Sequence, residues 1–269
     1  PDLPGVGCVI FDEFHERALQ ADLGLALTLE ACAALRPDLA IIVMSATLDA
    51  APVAALIGAP VLTAEGRAFP VETRWLDRSP SSAGQRFEAA VADLTLRALD
   101  ETEGGLLVFL PGQAEIARAS TLLAPRLPAG VRLQPLHGGL PFARQREALA
   151  PLADGRKLVL ATAIAETSLT IPDVRVVIDG GRARRPRHDP GSGMTRLVTT
   201  RVSRAEAEQR RGRAGRVAPG WCYRFWTRGE EGAFEAFAPP EITVADLTGL
   251  ALELALWGTG ADSLAFLTP

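Results

Sequence analysis

Two adjacent carboxylates near the start of the chain are the residues best suited to do chemistry. Asp12 and Glu13 follow an apolar run, residues 8–11, that predicts a buried parallel strand. Ligands of open α/β sheets bind at the carboxyl ends of the strands, where these side chains would lie. One carboxylate can hold Mg²⁺ while its neighbour takes a proton from an attacking water. The pair therefore suits phosphate chemistry, although two such residues can also simply favour the start of a helix.

Small hydroxyl residues follow the next predicted strand, residues 39–44, at its carboxyl end. They are Ser45 and Thr47, on either side of Ala46. Their ordinary role would be to cap the helix that is predicted after them. Their functional role would be a hydroxyl relay beside the carboxylates of the neighbouring strand.

A dense block of arginines lies in the last third of the chain, although the chain as a whole has a net charge of −4. Residues 182–216 contain eleven arginines and only three acidic residues. Guanidinium groups bind phosphate through two parallel hydrogen bonds, so the block predicts contact with a polyanion. The alternative is an arginine-rich face that is merely solvated.

The spacing of two of these arginines is more informative than their number. Arg213 and Arg216 are three residues apart, so one helical turn would direct both side chains the same way. Small residues lie between and before them and leave room for close approach: Gly212, Ala214 and Gly215. Two charges directed at one γ-phosphate would require this arrangement.

Hydroxyl side chains also follow a later predicted strand, residues 157–161. Thr162 comes directly after this strand, and Ser168 and Thr170 lie just beyond it. Such hydroxyls, with the main-chain N–H groups of the loop, can hold a sugar-phosphate backbone without reading the bases. The alternative is a loop whose polar groups satisfy one another.

Strands that alternate with helices position these residues, and the alternation predicts parallel sheets covered on both faces. A stretch rich in Ser, Pro and Gly, residues 77–85, predicts a linker between two α/β domains. We therefore expect a first domain over residues 1–76 and a second over residues 86–227. Leucines at helical spacing then predict an amphipathic helix that opens a third region, residues 228–269. The apolar stripe of this helix is more typical of a core than of a binding surface.

The composition is that of a globular protein with enough apolar material for two small cores, since 48% of its 269 residues are hydrophobic. The apolar runs are shorter than the roughly 20 residues that span a bilayer, so we expect no membrane partner. Cys8, Cys32 and Cys222 have neither metal-ligand nor disulfide spacing, which fits a reducing cytoplasm. We expect a cytoplasmic monomer, and the sequence identifies no protein partner.

In their order along the chain these motifs resemble those of superfamily 2 helicases, specifically the DEAH-box RNA helicase family. The matching segments are residues 12–15 (motif II), 45–47 (motif III), 107–112 (motif IV), 162–171 (motif V) and 209–216 (motif VI). Five matches in the right order are far more specific than any one of them. Phe14, where the family name has alanine, and residues 246–254 resemble the bacterial HrpB-like branch.

The resemblance implies two RecA-like parallel-sheet domains, the first incomplete at its N-terminal side, followed by the start of a helical, winged-helix-like region. It also implies an ATP-dependent RNA helicase core, with ATP and Mg²⁺ as cofactors and single-stranded RNA as partner. Domain closure would then be the switch that couples RNA binding to hydrolysis.

Roles for single residues come from the same resemblance. Asp12, with Glu13 beside it, would hold Mg²⁺ through water, and Glu13 would activate the hydrolytic water. His15, Ser45 and Thr47 would couple the nucleotide to the second domain. Gln209 would position the water or the γ-phosphate, and Arg213 and Arg216 would be arginine fingers. The expected RNA contacts are Thr162, Ser168, Thr170, Arg182, Arg184 and Arg185.

The sequence departs from the family pattern in two places. The phosphate-cradling Gly-x-x-x-x-Gly-Lys-Ser/Thr loop is absent, and Lys157, the only lysine, lies in the second predicted domain. We therefore expect the chain to be a fragment that neither hydrolyses ATP nor unwinds RNA alone. Pro172 stands where many relatives have an acidic residue, so we assign no nucleotide contact to Asp173.

Two other functions remain open at this point. The motifs would contact phosphates and sugars, so they fit a DNA-directed helicase as well. Recognition of the 2′-hydroxyl distinguishes RNA from DNA, and the sequence does not identify a residue for it. A non-catalytic nucleic-acid-binding scaffold without a P-loop is the alternative from another class. The intact Glu13, Gln209, Arg213 and Arg216 argue against decay into such a scaffold.

Overall fold

The structure is a computed structural model that describes residues 2–46, 50–64, 66, 68–80, 84–166, 171–260 and 263–268. The strands are β1 (Cys8–Phe11), β2 (Ala40–Val43), β3 (Val71–Trp75), β4 (Gly105–Phe109), β5 (Val131–Leu136), β6 (Arg156–Ala161), β7 (Val174–Asp179), β8 (Arg182–Asp189), β9 (Met194–Arg201) and β10 (Gly220–Arg224). The helices are α1 (Leu19–Ala34), α2 (Ala51–Ile57), α3 (Phe87–Glu101), α4 (Gln113–Leu123), α5 (Phe142–Leu149), α6 (Arg204–Gly212), α7 (Arg228–Glu231) and α8 (Thr248–Trp257). Short 3₁₀ turns cover Phe14–Glu16, Ala124–Arg126, Ala163–Ala165 and Glu241–Thr243.

The chain forms two compact units, each described here by itself. Unit 1 comprises Pro1–Glu65, Pro186–Val198 and Pro239–Pro269, and unit 2 comprises Gly66–Arg185 and Thr199–Ala238. Both contain parallel strands joined through helices, which confirms the α/β fold class. Among the described residues, no helix combines the length and the apolar character that a bilayer crossing requires.

Unit 2 is built on a six-stranded sheet in the order β3-β10-β7-β4-β6-β5, and all of its paired strands are parallel. The central strand β4 is a run of small and apolar residues that is buried throughout. Leu106 and Val108 face one core, with α3 and α4, whereas Leu107 and Phe109 face the other, with α5. The sheet is therefore covered on both faces, as its continuous apolar strands predict.

The strand β3 lies in unit 2, although we placed residues 71–76 in the first domain. It pairs in parallel with β10 from Val71 to Trp75, so it forms an edge of the six-stranded sheet. The boundary between the units falls between Glu65 and Gly66. The Ser- and Pro-rich stretch therefore connects β3 to α3 within unit 2, and its Ser81 to Ala83 lie outside the described residues.

Unit 1 contains the two-stranded parallel sheet of β1 and β2, with Cys8 opposite Ala40 and Phe11 opposite Val43. Its core is formed by α1 and by residues from the end of the chain. Leu23 and Ala26 of α1 pack with Leu250, Leu254 and Leu264. We expected α8 to open a third region, but in the structure it completes the core of the unit that carries the first carboxylates.

The arginine-bearing segment after β7 forms a hairpin from β8 and β9. The carbonyl of Asp189 accepts hydrogen bonds from the Ser192 and Gly193 N–H groups, at 3.2 and 2.9 Å, and closes the turn. The base of the hairpin belongs to unit 2, and its outer part, Pro186–Val198, is grouped with unit 1.

Candidate functional site

The two carboxylates lie at the carboxyl end of β1, where the sequence predicts them. Asp12 is exposed and Glu13 is half-buried. The Glu13 N–H donates to Asp12 Oδ1 at 2.8 Å, and the Glu13 backbone is left-handed, with φ +49°. This conformation costs a non-glycine residue of order 1 kcal/mol or more, and such strain clusters at functional sites. Residue 13 is therefore held in place by its surroundings rather than by its own preference.

The side chain of His15 joins the ends of the two strands of unit 1. Its Nδ1 accepts a hydrogen bond from the Ala46 N–H at 3.3 Å and lies 3.5 Å from Glu13 Oε2. The Phe14 N–H donates to the Met44 carbonyl at 3.0 Å, which fastens the same two segments through the backbone. Residues 12–15 and residues 44–46 thus form one connected structure.

The hydroxyl residues that we expected to couple this structure are only partly described. Ser45 is exposed. It directly precedes Ala46, whose N–H binds His15. Thr47 lies outside the described residues.

The oxygen donors at the end of β1 fit a magnesium ion that keeps most of its bound waters. Carboxylate oxygens are the ligands that Mg²⁺ prefers, and the ion commonly keeps several of its waters. Within the described ranges, three or more His, Cys, Asp or Glu side chains nowhere converge as a metal cage. Asp12 and Glu13 therefore suit an ion that is held mainly through water, and they do not suit a dry site.

In unit 2, α6 carries the first residues of motif VI and begins with a capping box. The Ser203 hydroxyl accepts from the Glu206 N–H, and the Glu206 carboxylate accepts from the Ser203 N–H at 2.6 Å. These reciprocal bonds satisfy two N–H groups that the first turn leaves without helical partners. The cap fixes where α6 begins and thus which of its residues face the sheet.

A buried ion cluster around Arg210 is the main feature that the sequence interpretation missed. Arg210 is 1% exposed and donates from Nη1 to Asp179 Oδ1 at 2.6 Å and from Nε to Glu166 Oε1 at 2.7 Å. Its guanidinium carbon lies 4.8 Å from the centre of the Phe109 ring. Burial alone would lower the pKa of Arg210, but the charges of Asp179 and Glu166 raise it, so the arginine keeps its charge.

The same cluster holds one carboxylate more than its single guanidinium can neutralise. Burial raises the pKa of Glu166 above its ordinary value, and the nearby Glu206 and Asp179 raise it further, whereas Arg210 lowers it. One signal in the sequence pointed here. Asp179 ends an apolar strand, β7, as Asp12 follows β1, and both therefore lie at the carboxyl edge of a parallel sheet.

Arg213 is attached to the same loop as Arg210. Its Nη2 donates to the carbonyl of Glu166, and the residue is 6% exposed. Glu166 therefore binds Arg210 through its side chain and Arg213 through its backbone. This arrangement joins the end of motif VI directly to motif V.

The spacing of Arg213 and Arg216 predicts that one helical turn carries both side chains, but in the structure neither residue lies on a helix. The helix α6 ends at Gly212, and residues 213–216 form a turn that follows it. Arg213 is buried, whereas Arg216 is exposed. Glycine at residues 212 and 215 favours this early end, because glycine is a poor helix former. Gln209 is half-buried on α6.

Thr162 lies at the carboxyl end of β6, as predicted. Its N–H donates to the Leu136 carbonyl and its carbonyl accepts from the Ala165 N–H, both at 3.2 Å. Its backbone is thus fixed between the ends of two neighbouring strands. Ser168 and Thr170, the other hydroxyl residues of this prediction, lie outside the described residues.

The three arginines at the base of the hairpin have different surroundings. The guanidinium carbon of Arg182 lies 4.2 Å from the centre of the Phe87 ring, and Arg182 is exposed. Arg184 is also exposed, and its Nη2 donates to Glu115 Oε1 at 3.3 Å. Arg185 binds the Glu206 carboxylate with Nη2 and the Thr200 hydroxyl with Nη1, at 2.7 Å for the latter. Arg185 therefore has an internal partner for its charge.

Comparison with known proteins connects this geometry to a family. Residues 88–218 match the helicase conserved C-terminal domain. The chain is 50% identical over 260 residues to the ATP-dependent RNA helicase HrpB of Escherichia coli, which covers 96% of the chain. The chain is a relative of the DEAH-box helicases. This confirms the resemblance of its motifs.

More distant relatives and solved structures agree with this assignment. The chain is 39% identical over 270 residues to the ATP-dependent RNA helicase DEAH12, chloroplastic, of Arabidopsis thaliana, and 36% identical over 273 residues to the probable ATP-dependent RNA helicase DHX34 of Homo sapiens. These alignments cover 98% and 97% of the chain. Two crystal structures of Escherichia coli HrpB superpose on 99% of the chain with TM-scores of 0.90 and 0.92, at 48% and 47% identity.

The DEAH-box relatives are much longer than the chain. It spans 32% of the length of HrpB, 24% of DHX34 and 15% of DEAH12. It corresponds to 33% and 34% of the length of the HrpB chains in the two crystal structures.

Proposed function

We propose that the chain is the motif II to motif VI part of an ATP-dependent RNA helicase, which couples hydrolysis of a nucleoside triphosphate to movement along RNA or to its unwinding. The observation that carries this proposal is the double attachment of Glu166, which binds Arg210 through its carboxylate and Arg213 through its carbonyl. It connects the loop expected to bind RNA with an arginine expected to act on the nucleotide.

The carboxylates of unit 1 supply the general base and the metal-holding group for hydrolysis. Bound ATP would supply the γ-phosphoryl group, and Mg²⁺ would offset part of its charge. Glu13 would take a proton from the attacking water, and Asp12 would hold the ion through water. The N–H bond from Glu13 to Asp12 Oδ1 fixes the Asp12 carboxylate relative to the left-handed backbone of Glu13.

The arginines of unit 2 supply the positive charge that phosphoryl transfer needs. Arg213 and Arg216 stabilise the charge that develops on the phosphoryl oxygens, and Gln209 positions the water or the γ-phosphate. Arg210 has a different role, since its guanidinium is fully engaged by two buried carboxylates. It holds the motif VI turn against the sheet.

Contacts with RNA are assigned to the loop after β6 and to the base of the hairpin. Thr162, with Ser168 and Thr170, binds phosphate and ribose, as polar groups of such loops do. Arg182 and Arg184 are exposed and add positive charge. Arg185, whose charge is met by Glu206, contributes mainly by holding the hairpin to α6.

Coupling between RNA and nucleotide follows from Glu166. A shift of the loop after β6 on RNA binding moves the Glu166 carbonyl and with it Arg213. By linkage, the nucleotide state then changes the affinity of the loop for RNA by the same factor.

The test is ATP hydrolysis by the protein at its full natural length, with single-stranded RNA, with single-stranded DNA and without nucleic acid. Glu13→Gln is the informative variant, and Glu16→Gln is its control, because Glu16 is exposed on the same 3₁₀ turn. We expect RNA to stimulate the wild type and Glu16→Gln, and Glu13→Gln to lose turnover while it still binds RNA. Equal activity of Glu13→Gln and the wild type would show that Glu13 is not the base. Stimulation by DNA alone would support a DNA-directed helicase instead, and RNA binding without any hydrolysis would support the scaffold.

A further inference from the structure

Arg17, two residues after motif II, is bound to a segment more than two hundred positions later in the chain. The Glu241 N–H donates to the Arg17 carbonyl at 3.0 Å, and Glu241 Oε2 accepts from the Leu19 N–H at 2.7 Å. Ala18, at the N-cap of α1, offers no side-chain acceptor, so the Glu241 carboxylate takes that position in space. Glu241 therefore holds both ends of the short connection from motif II to α1.

The side chain of Arg17 strengthens the same attachment. Its Nε and Nη2 donate to the two carboxylate oxygens of Asp22 at 3.0 and 3.1 Å, and the Asp22 side chain is 2% exposed. Its Nη2 also donates to the Thr268 hydroxyl at 2.9 Å. A bidentate pair of this kind is both strong and geometrically specific. Two separate residues of the 239–268 segment, Glu241 and Thr268, thus bind Arg17.

The attachment matters because the backbone is strained on both sides of the 3₁₀ turn that follows Glu13. The 3₁₀ turn Phe14–Glu16 lies between Glu13, with φ +49°, and Arg17, with φ +50°. Both are non-glycine residues in the left-handed region, and such conformations persist only when the surroundings impose them. On the Glu13 side the imposing contact comes from the residue that follows β2, because the Phe14 N–H donates to the Met44 carbonyl. On the Arg17 side they come from Glu241, Asp22 and Thr268.

We propose that Glu241 is a positioning residue for Glu13, and that through it the 239–268 segment sets the rate of the hydrolytic step. This inference rests on the proposed function, because it assumes that Glu13 is the base. Release of Glu241 lets Arg17 leave its left-handed conformation, and the 3₁₀ turn then no longer holds the Glu13 carboxylate at its position. Misplacement of a catalytic group by about 1 Å costs up to about 100-fold in rate. A movement of the end of the chain that withdraws residue 241 would therefore slow ATP hydrolysis without touching the nucleotide.

The experiment compares Glu241→Ala with Glu241→Gln and with Glu253→Ala in the protein at its full natural length. Glu253 is an exposed glutamate on α8, in the same segment, and serves as the matched control. The measurements are kcat and KM for ATP, the affinity for single-stranded RNA and the midpoint of thermal unfolding. We expect Glu241→Ala to lower kcat about tenfold with KM and RNA affinity unchanged. Glu241→Gln should recover most of kcat, since its amide oxygen still accepts from Leu19, and Glu253→Ala should match the wild type.

Several results would overturn the inference. An unchanged kcat in Glu241→Ala is one, and a parallel loss of kcat, RNA affinity and thermal stability without recovery in Glu241→Gln is another. Should Glu241→Ala fail to fold, Thr268→Val is the second variant, because it removes a single hydrogen bond of Arg17. It should lower kcat about two- to threefold at constant KM. An unchanged kcat in Thr268→Val would contradict the inference. Glu13→Gln separates this inference from the proposed function. Full turnover in Glu13→Gln removes both, whereas an inactive Glu13→Gln beside a fully active Glu241→Ala removes only the role of Glu241.

Discussion

Gly215 accepts a hydrogen bond at its carbonyl from the Phe69 N–H at 2.9 Å, which joins the turn carrying the motif VI arginines to the segment that leads into β3. Arg211 strengthens this junction, because its Nη2 donates to the Val71 carbonyl at 3.1 Å and its Nε to the Thr73 hydroxyl at 2.9 Å. The segment that enters unit 2 from residue 66 is therefore bound to the turn that presents Arg213 and Arg216.

Gly215→Ala should disturb this junction, whereas Gly212→Ala should not. A Cβ at residue 215 would lie 2.6 Å from the Phe69 carbonyl oxygen, but a Cβ at residue 212 would meet nothing within 4 Å. Such overpacking against backbone costs about 1–3 kcal/mol. We expect Gly215→Ala to lower both the free energy of unfolding and the RNA-stimulated kcat, as measured by denaturant titration and ATPase assay. Equal behaviour of the two variants would show that the junction tolerates movement.

Glu166→Gln should change how the stability of the protein depends on pH. The raised pKa of Glu166 means that the folded state keeps this proton to a higher pH than the unfolded state, whose ordinary value is 4.5. Ionisation of Glu166 therefore destabilises the fold as pH rises above about 4.5. Because glutamine does not ionise, the variant should gain stability relative to the wild type across this range. Urea unfolding at several pH values tests this, and parallel profiles would contradict it.

Arg182→Met and Arg185→Met should fail in different ways. Arg182 is exposed, so its loss should weaken RNA binding and reduce the dependence of affinity on salt by about one counterion. Arg185 neutralises the Glu206 carboxylate that also caps α6, so its loss should chiefly lower thermal stability. Salt titrations of RNA affinity and thermal unfolding of both variants distinguish the two roles. The assignment fails if Arg185→Met is as stable as the wild type but binds RNA less well.

The cysteines should differ sharply in reactivity. Cys8 is exposed, whereas Cys222 is buried in the centre of unit 2, where burial raises its pKa to about 12. Alkylation at about pH 8 should modify Cys8 quickly and Cys222 only after unfolding, since the thiolate is the reactive form. Mass spectrometry of peptides after timed alkylation measures this. Rapid labelling of Cys222 in the folded protein would contradict the placement of β10 inside the sheet.

Several parts of the fold and of the site could be predicted because they depend on local sequence. Apolar runs that end in polar residues placed Asp12, Ser45 and Thr162 at the carboxyl ends of strands, and β1 and β2 are indeed neighbours. The turn of the arginine-rich hairpin is also a local feature of the sequence, since glycine and proline mark it.

Other features depend on contacts between distant parts of the chain, which local patterns do not encode. The sequence of β3 indicates a strand but not which sheet it joins, and only its pairing with β10 decides that. Arg210 belongs to a block that looks like a solvated face, yet it is buried because Asp179 and Glu166 supply opposite charges from other elements. The packing of α8 against α1 could likewise not be predicted, because α1 lies more than two hundred residues earlier in the chain.

The assembly of unit 1 from separated segments has a consequence for folding. All of unit 2 lies before residue 239, so its sheet can form while a nascent chain is still being made. Leu23 and Ala26 of α1, by contrast, remain without Leu250 and Leu254 until residues 239–268 have been synthesised. Contacts at such long sequence separation form slowly, and the apolar face of α1 is open to aggregation or to chaperones in the meantime. Of the two units, the one that carries Glu13 is therefore completed second.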